Sequence, residues 1–312
     1  MIVSDLPSAE LGTRLADPGL HLVTGQFQLC IRSPIPALAA TIGLMYADYP
    51  LGNAQGFTDF HVTLEHPTGL RRWWRKQVVF EFDSALPFKP LPATQAFPML
   101  EWGLNWCVSS YANLYLIIHA AVVEKNGFAA ILPAPPGSGK STLCAALVTR
   151  GWRLLSDELT LIRTADGRIV PLPRPVSLKN ASIEIMQTYA PQAVFSPKVF
   201  DTVKGTIAHM KAPADSVARA AEDACPGWII FPKYQAGAAT SFVPISPAHG
   251  LMRLADNAFN YSSLGLQGFE TVAGLIDACE VIDFTYSVID EAIAAFDALA
   301  AEALERQTGK AS

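Results

Sequence analysis

The stretch Phe128–Arg150, FAAILPAPPGSGKSTLCAALVTR, decides how the rest of the chain is read. An unbroken apolar run, FAAIL, has the character of a buried strand and stops at Pro133, and a helix-favouring segment opens at Ser141. Between them the small residues and glycines of Gly137, Ser138 and Gly139 allow successive backbone N–H groups to point inward at a phosphate. The helix N-terminus that follows adds its partial positive charge. In this pattern Lys140 reaches the β and γ phosphates and the Ser141 hydroxyl holds Mg²⁺. Pro136, Gly137, Ser138, Gly139, Lys140, Ser141 and Thr142 are therefore the candidate nucleotide-binding residues, with ATP and Mg²⁺ the expected cofactors. The pattern opens with glycine, whereas this chain has Ala134, and Pro135 and Pro136 stiffen the turn.

Downstream, the strand-like Arg153–Ser156 runs into Asp157-Glu158. A carboxylate at the end of a strand next to the loop strand can bind Mg²⁺, and its neighbour can accept the proton of an attacking hydroxyl. Asp157 is the candidate metal ligand together with Ser141, and Asp157 and Glu158 are both candidate catalytic carboxylates. Upstream, His119 opens the strand before the loop strand and would stand beside the acidic pair if the two strands end together. The competing reading of His119 is a satisfied core histidine.

Outward from this centre, His119–Glu124 and Phe128–Ala134 bracket Lys125-Asn126-Gly127 as a hairpin, and Leu159–Arg163 pairs across Asp166-Gly167 with Ile169–Leu172 as a second one. Trp228–Phe231 and Ser241–Ile245 read as strands, and Asp290–Arg306 as an amphipathic terminal helix. A helix is expected from about Phe97 through Ile117, with Leu100, Leu104, Trp106, Val108 and Tyr111 among its buried positions. Before it, Pro87, Pro90, Pro92 and Pro98 crowd the segment Leu86–Pro98 too closely for a regular element, which places a domain boundary there. In the first ninety residues His21–Arg32, Phe57–Leu64 and Val78–Phe82 carry strand patterns, and Ala37–Ala47 a short helix started by Pro34 and Pro36.

The charge balance of 23 basic and 28 acidic residues gives no field that would favour nucleic acid or an anionic membrane. Arg71-Arg72-Trp73-Trp74-Arg75-Lys76 mixes cations and tryptophans, and an exposed strand or turn is the preferred account of it. Five scattered cysteines without a CxxC pair fit reduced thiols, and no apolar stretch reaches the length of a membrane span. A cytoplasmic location is expected. A mean hydropathy of +0.25 suggests apolar surface buried between subunits or against a partner, and a homo-oligomer is expected.

With these residues in place, Ile117–Ile162 resembles the catalytic core of bacterial HPr kinase/phosphorylase, in the order histidine, strand, turn, strand, phosphate loop, helix, Arg-Gly, strand, acidic pair. It looks closer still to the HPr-kinase-related kinase A group. The resemblance implies an α/β fold: a P-loop catalytic domain of the HPr-kinase/phosphoenolpyruvate-carboxykinase class with a mixed sheet over 93–312, preceded by a smaller α+β domain over 1–92. It also implies that Lys140 and Ser141 bind triphosphate and Mg²⁺, that Asp157 holds metal, that Glu158 activates a serine hydroxyl, and that His119 supports that base. Asp201–Ile207 falls where the family carries Glu-x-Arg-Gly, which would make Lys204 a transition-state cation, with Thr202 in the glutamate's place and Asp201 beside it. Arg174 and Lys179, in PLPRPVSLKN, read as solvated cations rather than ligands. The expected activity is ATP-dependent phosphorylation of a serine on a peptide or small protein. A small-molecule kinase, a carboxykinase-like enzyme and a nucleotide-dependent binding module are the alternatives.

Overall fold

The computed structural model describes residues 1–68, 76–135 and 137–309. In chain order the first part contains α1 (Ser8–Ala16), β1 (Leu20–Thr24), β2 (Phe27–Arg32), α2 (Pro36–Met45), β3 (Phe60–Glu65), β4 (Gln77–Phe82) and β5 (Leu91–Pro92). Then follow α3 (Ala96–Tyr111), β6 (Tyr115–Ile118), β7 (Ala120–Lys125), β8 (Phe128–Pro133), α4 (Lys140–Thr149), β9 (Arg153–Ser156), β10 (Thr160–Arg163), β11 (Ile169–Val170), β12 (Val176–Lys179) and α5 (Ala181–Tyr189). The last part holds β13 (Val199–Thr202), β14 (Gly205–Met210), α6 (Ala214–Ala218), β15 (Cys225–Tyr234), β16 (Ser241–Pro244), α7 (Pro247–Asp256), α8 (Tyr261–Leu264), α9 (Leu266–Ala278), β17 (Glu280–Tyr286) and α10 (Ile289–Gly309). Among the described residues no helix is long and apolar enough to cross a membrane.

The central sheet has the order β16-β17-β15-β8-β7-β9 and is mixed. β15 pairs in parallel with both β8 and β17, while β7 is antiparallel to β8 and to β9. Its inner strands read as continuous apolar runs because both faces are covered. Ala121, Val123, Ala130, Leu132 and Ile230 join the cluster with α4 and α10, while Ala120, Val122, Ala129, Ile131 and Ile229 face Leu254 of α7 and Val272, Leu275 and Ile276 of α9. The α/β class with mixed sheets is therefore as the sequence implied.

The first five strands form their own sheet, β1-β2-β3-β4-β5, yet its core residues belong to the same apolar cluster as α4 and the central sheet. Polar ties cross this seam: Tyr46 donates to Glu101 Oε1 at 2.5 Å, Tyr49 donates to the Pro173 carbonyl at 2.9 Å, and Lys211 pairs with Asp48 at 2.7 Å. Two small three-stranded sheets, β11-β10-β6 and β12-β14-β13, complete the sheet structure among the described residues.

Several elements differ from expectation for physical reasons. His21–Arg32 is a hairpin, because Gly25 takes a φ of +56° and folds β1 back on β2. The helix expected through Ile117 ends at Tyr111; Leu116, Ile117 and Ile118 instead pair with β10, and Tyr111 is half exposed. Pro98 lies in the first turn of α3, where its missing N–H costs nothing, and Leu91–Pro92 pairs with β4, so the proline-rich segment is partly regular. Residues 71–75 of the cation–tryptophan run lie outside the described residues.

Candidate active site

The loop after β8 and the start of α4 meet the end of β9 at one edge of the central sheet. β7 is antiparallel to both β8 and β9, so those two strands point the same way and end where β7 begins. The acidic pair therefore lies two strands from the loop strand, not on its neighbour as expected; β7 intervenes and brings His119 to the same edge.

Gly137 and Gly139 adopt φ of +87° and +88°, a region that other residues enter only at a cost, and Gly139 caps α4. A Cβ on Gly139 would also lie 2.6 Å from the Tyr286 hydroxyl, which donates to the Gly139 carbonyl at 3.2 Å. Ala134 is not among the residues with positive φ, which is why alanine is tolerated where the pattern has glycine. The Tyr234 N–H donates to the Ser138 carbonyl at 2.9 Å and ties the loop to β15. Pro136 lies outside the described residues. The remaining loop residues, Gly137 through Thr142, line one cavity together with His119, Glu158 and Lys179.

Within this site the Lys140 ammonium and the Ser138 hydroxyl are buried and have no hydrogen-bond partner. The first N–H groups of α4, like those of any helix, have no acceptor within the helix. Ser141 Oγ donates to Asp157 Oδ2 at 3.4 Å, and the same oxygen accepts the Ser177 N–H at 2.9 Å, leaving the buried Asp157 Oδ1 without a partner. Burial, followed by the neighbouring Glu158 charge, raises the Asp157 pKa above its ordinary value against the pull of Lys140, the Ser177 N–H and Lys179.

Glu158 lies in a different field. Its Oε2 is 3.5 Å from His119 Nε2 and its Oε1 is 3.5 Å from Lys179 Nζ. Burial alone would raise its pKa, but the His119 hydrogen bond and the charges of Lys140, Lys179 and Lys204 outweigh it and hold the carboxyl well below the usual range. Lys204, in the turn between β13 and β14, carries its ammonium over the Trp102 ring at 5.2 Å. Desolvation lowers its pKa, partly countered by Glu158. Thr202 closes the Lys204 turn: its hydroxyl donates to the Gly205 carbonyl at 2.7 Å and accepts the Lys204 N–H at 3.1 Å. Asp201 is exposed, and its carbonyl accepts from Gln95.

Arg174 was read from sequence as solvated, and it is buried. It contacts Asn105 and lies 3.8 Å from Glu101 Oε2, behind the acidic pair. Sequence reasoning also missed Ser177, Glu101 and His209, which line the small polar cavity on that side. The usable signal was the alternation in Val176–Lys179: Val176 and Leu178 are fully buried in the apolar core, so Ser177 and Lys179 must face the other way.

His209 is buried against Phe97, and burial holds its pKa down at about 3, with Glu158 pulling upward and Arg174, Lys179 and Lys204 pushing further down. Folding keeps this imidazole neutral, so its contribution to stability is complete above about pH 6.5 and is lost as pH falls from there toward 3. Between pH 7.5 and pH 5 the residue is expected to cost about 2 kcal/mol of unfolding free energy. Urea titrations at the two pH values should record that loss in the wild type and a correspondingly smaller one in His209→Gln.

Among the described residues no group of three or more His, Cys, Asp or Glu converges as a metal cage. A single carboxylate with a hydroxyl suits Mg²⁺, which takes one or two protein ligands and completes its shell with phosphates and water. The unpartnered Asp157 Oδ1 and the nearby Ser141 fit that donor set, and the buried, unpartnered Lys140 ammonium fits a phosphate.

No family model matches the chain. No curated protein matches it significantly. Among solved structures, the HPr(Ser) kinase/phosphatase from Coxiella burnetii is similar over 62% of this chain and 98% of that one, at 11% identity and a TM-score of 0.29. A likeness that loose assigns neither family nor activity.

Proposed function

We propose that the chain is an ATP- and Mg²⁺-dependent kinase that transfers the γ-phosphoryl group to a serine hydroxyl of a peptide or small protein. The observation that carries this reading is the meeting of α4 with the end of β9, where a buried ammonium without a partner, Lys140, stands beside Ser141 and Asp157. A site with that much uncompensated polar burial is built for an occupant that supplies the missing oxygens.

In this reading the N–H groups of the glycine loop and Lys140 hold the β and γ phosphates. Ser141 and Asp157 would hold Mg²⁺, which when bound neutralises charge on those phosphates. Glu158 is the better-placed base of the acidic pair, because Asp157 already accepts from Ser141 and Ser177. His119 orients Glu158 from Oε2, and Lys204 supplies positive charge on the acceptor side. Glu158 takes the proton of the attacking hydroxyl, and ADP leaves with the electrons of the broken bond to phosphorus.

The same proposal takes 93–312 as an HPr-kinase-like P-loop domain and 1–92 as an α+β unit for acceptor recognition or self-association, in a cytoplasmic homo-oligomer. The test is a lysate incubated with ATP and the purified chain, read by mass spectrometry against Lys140→Met. A new phosphoserine confined to the wild-type sample is expected. Phosphorylation that appears equally with the variant, or only on free metabolites, would exclude the peptide-kinase reading.

A further inference from the structure

Lys179 has no role in the reading above, yet it is the cation nearest the proposed base. Its Nζ lies 3.5 Å from Glu158 Oε1, and its side chain is two-thirds covered on the wall of the cavity that holds the glycine loop. The backbone that carries it is fixed: the Lys179 N–H donates to Ser182 Oγ at 2.8 Å, and that hydroxyl donates back to the Lys179 carbonyl at 2.6 Å. Asn180, next in the chain, has a φ of +52°. Its N–H donates to the Thr206 carbonyl at 2.9 Å, and its Oδ1 accepts the Thr206 N–H at 3.1 Å. A Cβ on Gly205 would lie 2.3 Å from that Oδ1, so the glycine leaves the space that the Asn180 amide fills. The strand end carrying Lys179 and the turn carrying Lys204 are thereby locked into one corner.

Both oxygens of Glu158 are then occupied, Oε2 by His119 and Oε1 by Lys179. A carboxylate held beside that cation is a weaker base than one the cation has left. The His119 backbone N–H donates to the Asn257 carbonyl at 2.7 Å, and its ring packs 5.6 Å from that of Phe259. Lys179, an ammonium on a flexible stem, is the partner able to turn away.

We propose that Lys179 is a ligand of the transferred phosphoryl group, and that it exchanges Glu158 for the γ-phosphate when ATP binds, so that loading the site frees Oε1 of the base. The inference rests on the kinase reading. In the transfer, the acceptor oxygen forms its bond to phosphorus while the bond from phosphorus to the β–γ bridging oxygen breaks. The bridging oxygen leaves on ADP with the electron pair, and the hydroxyl proton passes to Glu158 Oε1. Lys179 stays on the phosphoryl oxygens throughout, contributing charge and no proton.

Calorimetric titrations with Mg·ADP and Mg·ATP separate this role from a structural one. Lys179→Met is expected to bind Mg·ADP within about threefold of wild type and Mg·ATP at least about tenfold more weakly, the size of a lost hydrogen bond to a charged group. Lys179→Arg, which keeps the charge, should restore most of the preference for ATP. Retained ADP binding certifies that each variant is folded. An unchanged ratio of ATP to ADP affinity in Lys179→Met, or an equal loss for both nucleotides, would overturn the exchange. A wild-type chain that binds neither nucleotide would remove the kinase reading itself, and this inference with it.

Discussion

Lys140→Met is expected to weaken Mg·ATP binding by about 10²–10³-fold, the range for removing one partner of a desolvated charge pair. The methionine keeps most of the buried stem, so the loss reads the ammonium rather than packing. The same substitution should leave the nucleotide-free protein at least as stable as wild type, because it removes a buried ammonium that has no hydrogen-bond partner. Opposite outcomes for binding and for stability mark a group retained for a ligand. Calorimetry with Mg·ATP and a urea denaturation curve, run on one preparation, record both. A variant that loses stability and keeps its affinity would make Lys140 a structural residue.

The second large effect belongs to Glu158. Glu158→Gln preserves shape and removes the proton acceptor, and single-turnover transfer should fall by about 10²–10⁴-fold, the usual contribution of a general base. Mg·ATP affinity should stay within a few-fold of wild type, since Lys140, Ser141 and Asp157 are untouched. Asp157→Asn should differ in kind: its partners Ser141 and Ser177 place it on the metal side, so it should raise the Mg²⁺ concentration needed for half-maximal binding. If Asp157→Asn abolished transfer at saturating Mg²⁺ while Glu158→Gln left it intact, the roles of the two carboxylates would be reversed.

The parts of this site that lie close in sequence were legible before any coordinates. Phe128–Arg150 announces its strand, its two left-handed glycines and its helix because each is a local property of the backbone. The Asn126-Gly127 and Asp166-Gly167 turns were readable for the same reason. Other features depend on partners distant in sequence. Nothing near Arg174 says that α3 will cover it with Glu101 and Asn105, so its burial was misjudged. Tyr115–Ile118 looks like the tail of an apolar helix until β10 offers it a ladder. The place of β9 beyond β7 is a matter of sheet order, which strand patterns alone do not fix. Lys179, read from the sequence as a solvated cation, instead pairs at 3.5 Å with Glu158, which another segment carries.

The most direct measurement is a crystal structure of the wild-type chain grown with Mg²⁺ and a non-hydrolysable ATP analogue. The account requires the β-phosphate inside the turn from Gly137 to Ser141, Lys140 on its oxygens, the metal on Ser141 and Asp157, and the γ-phosphate facing Glu158. An analogue bound elsewhere, or absent at saturating concentration while Lys140 stays without a partner, would contradict it.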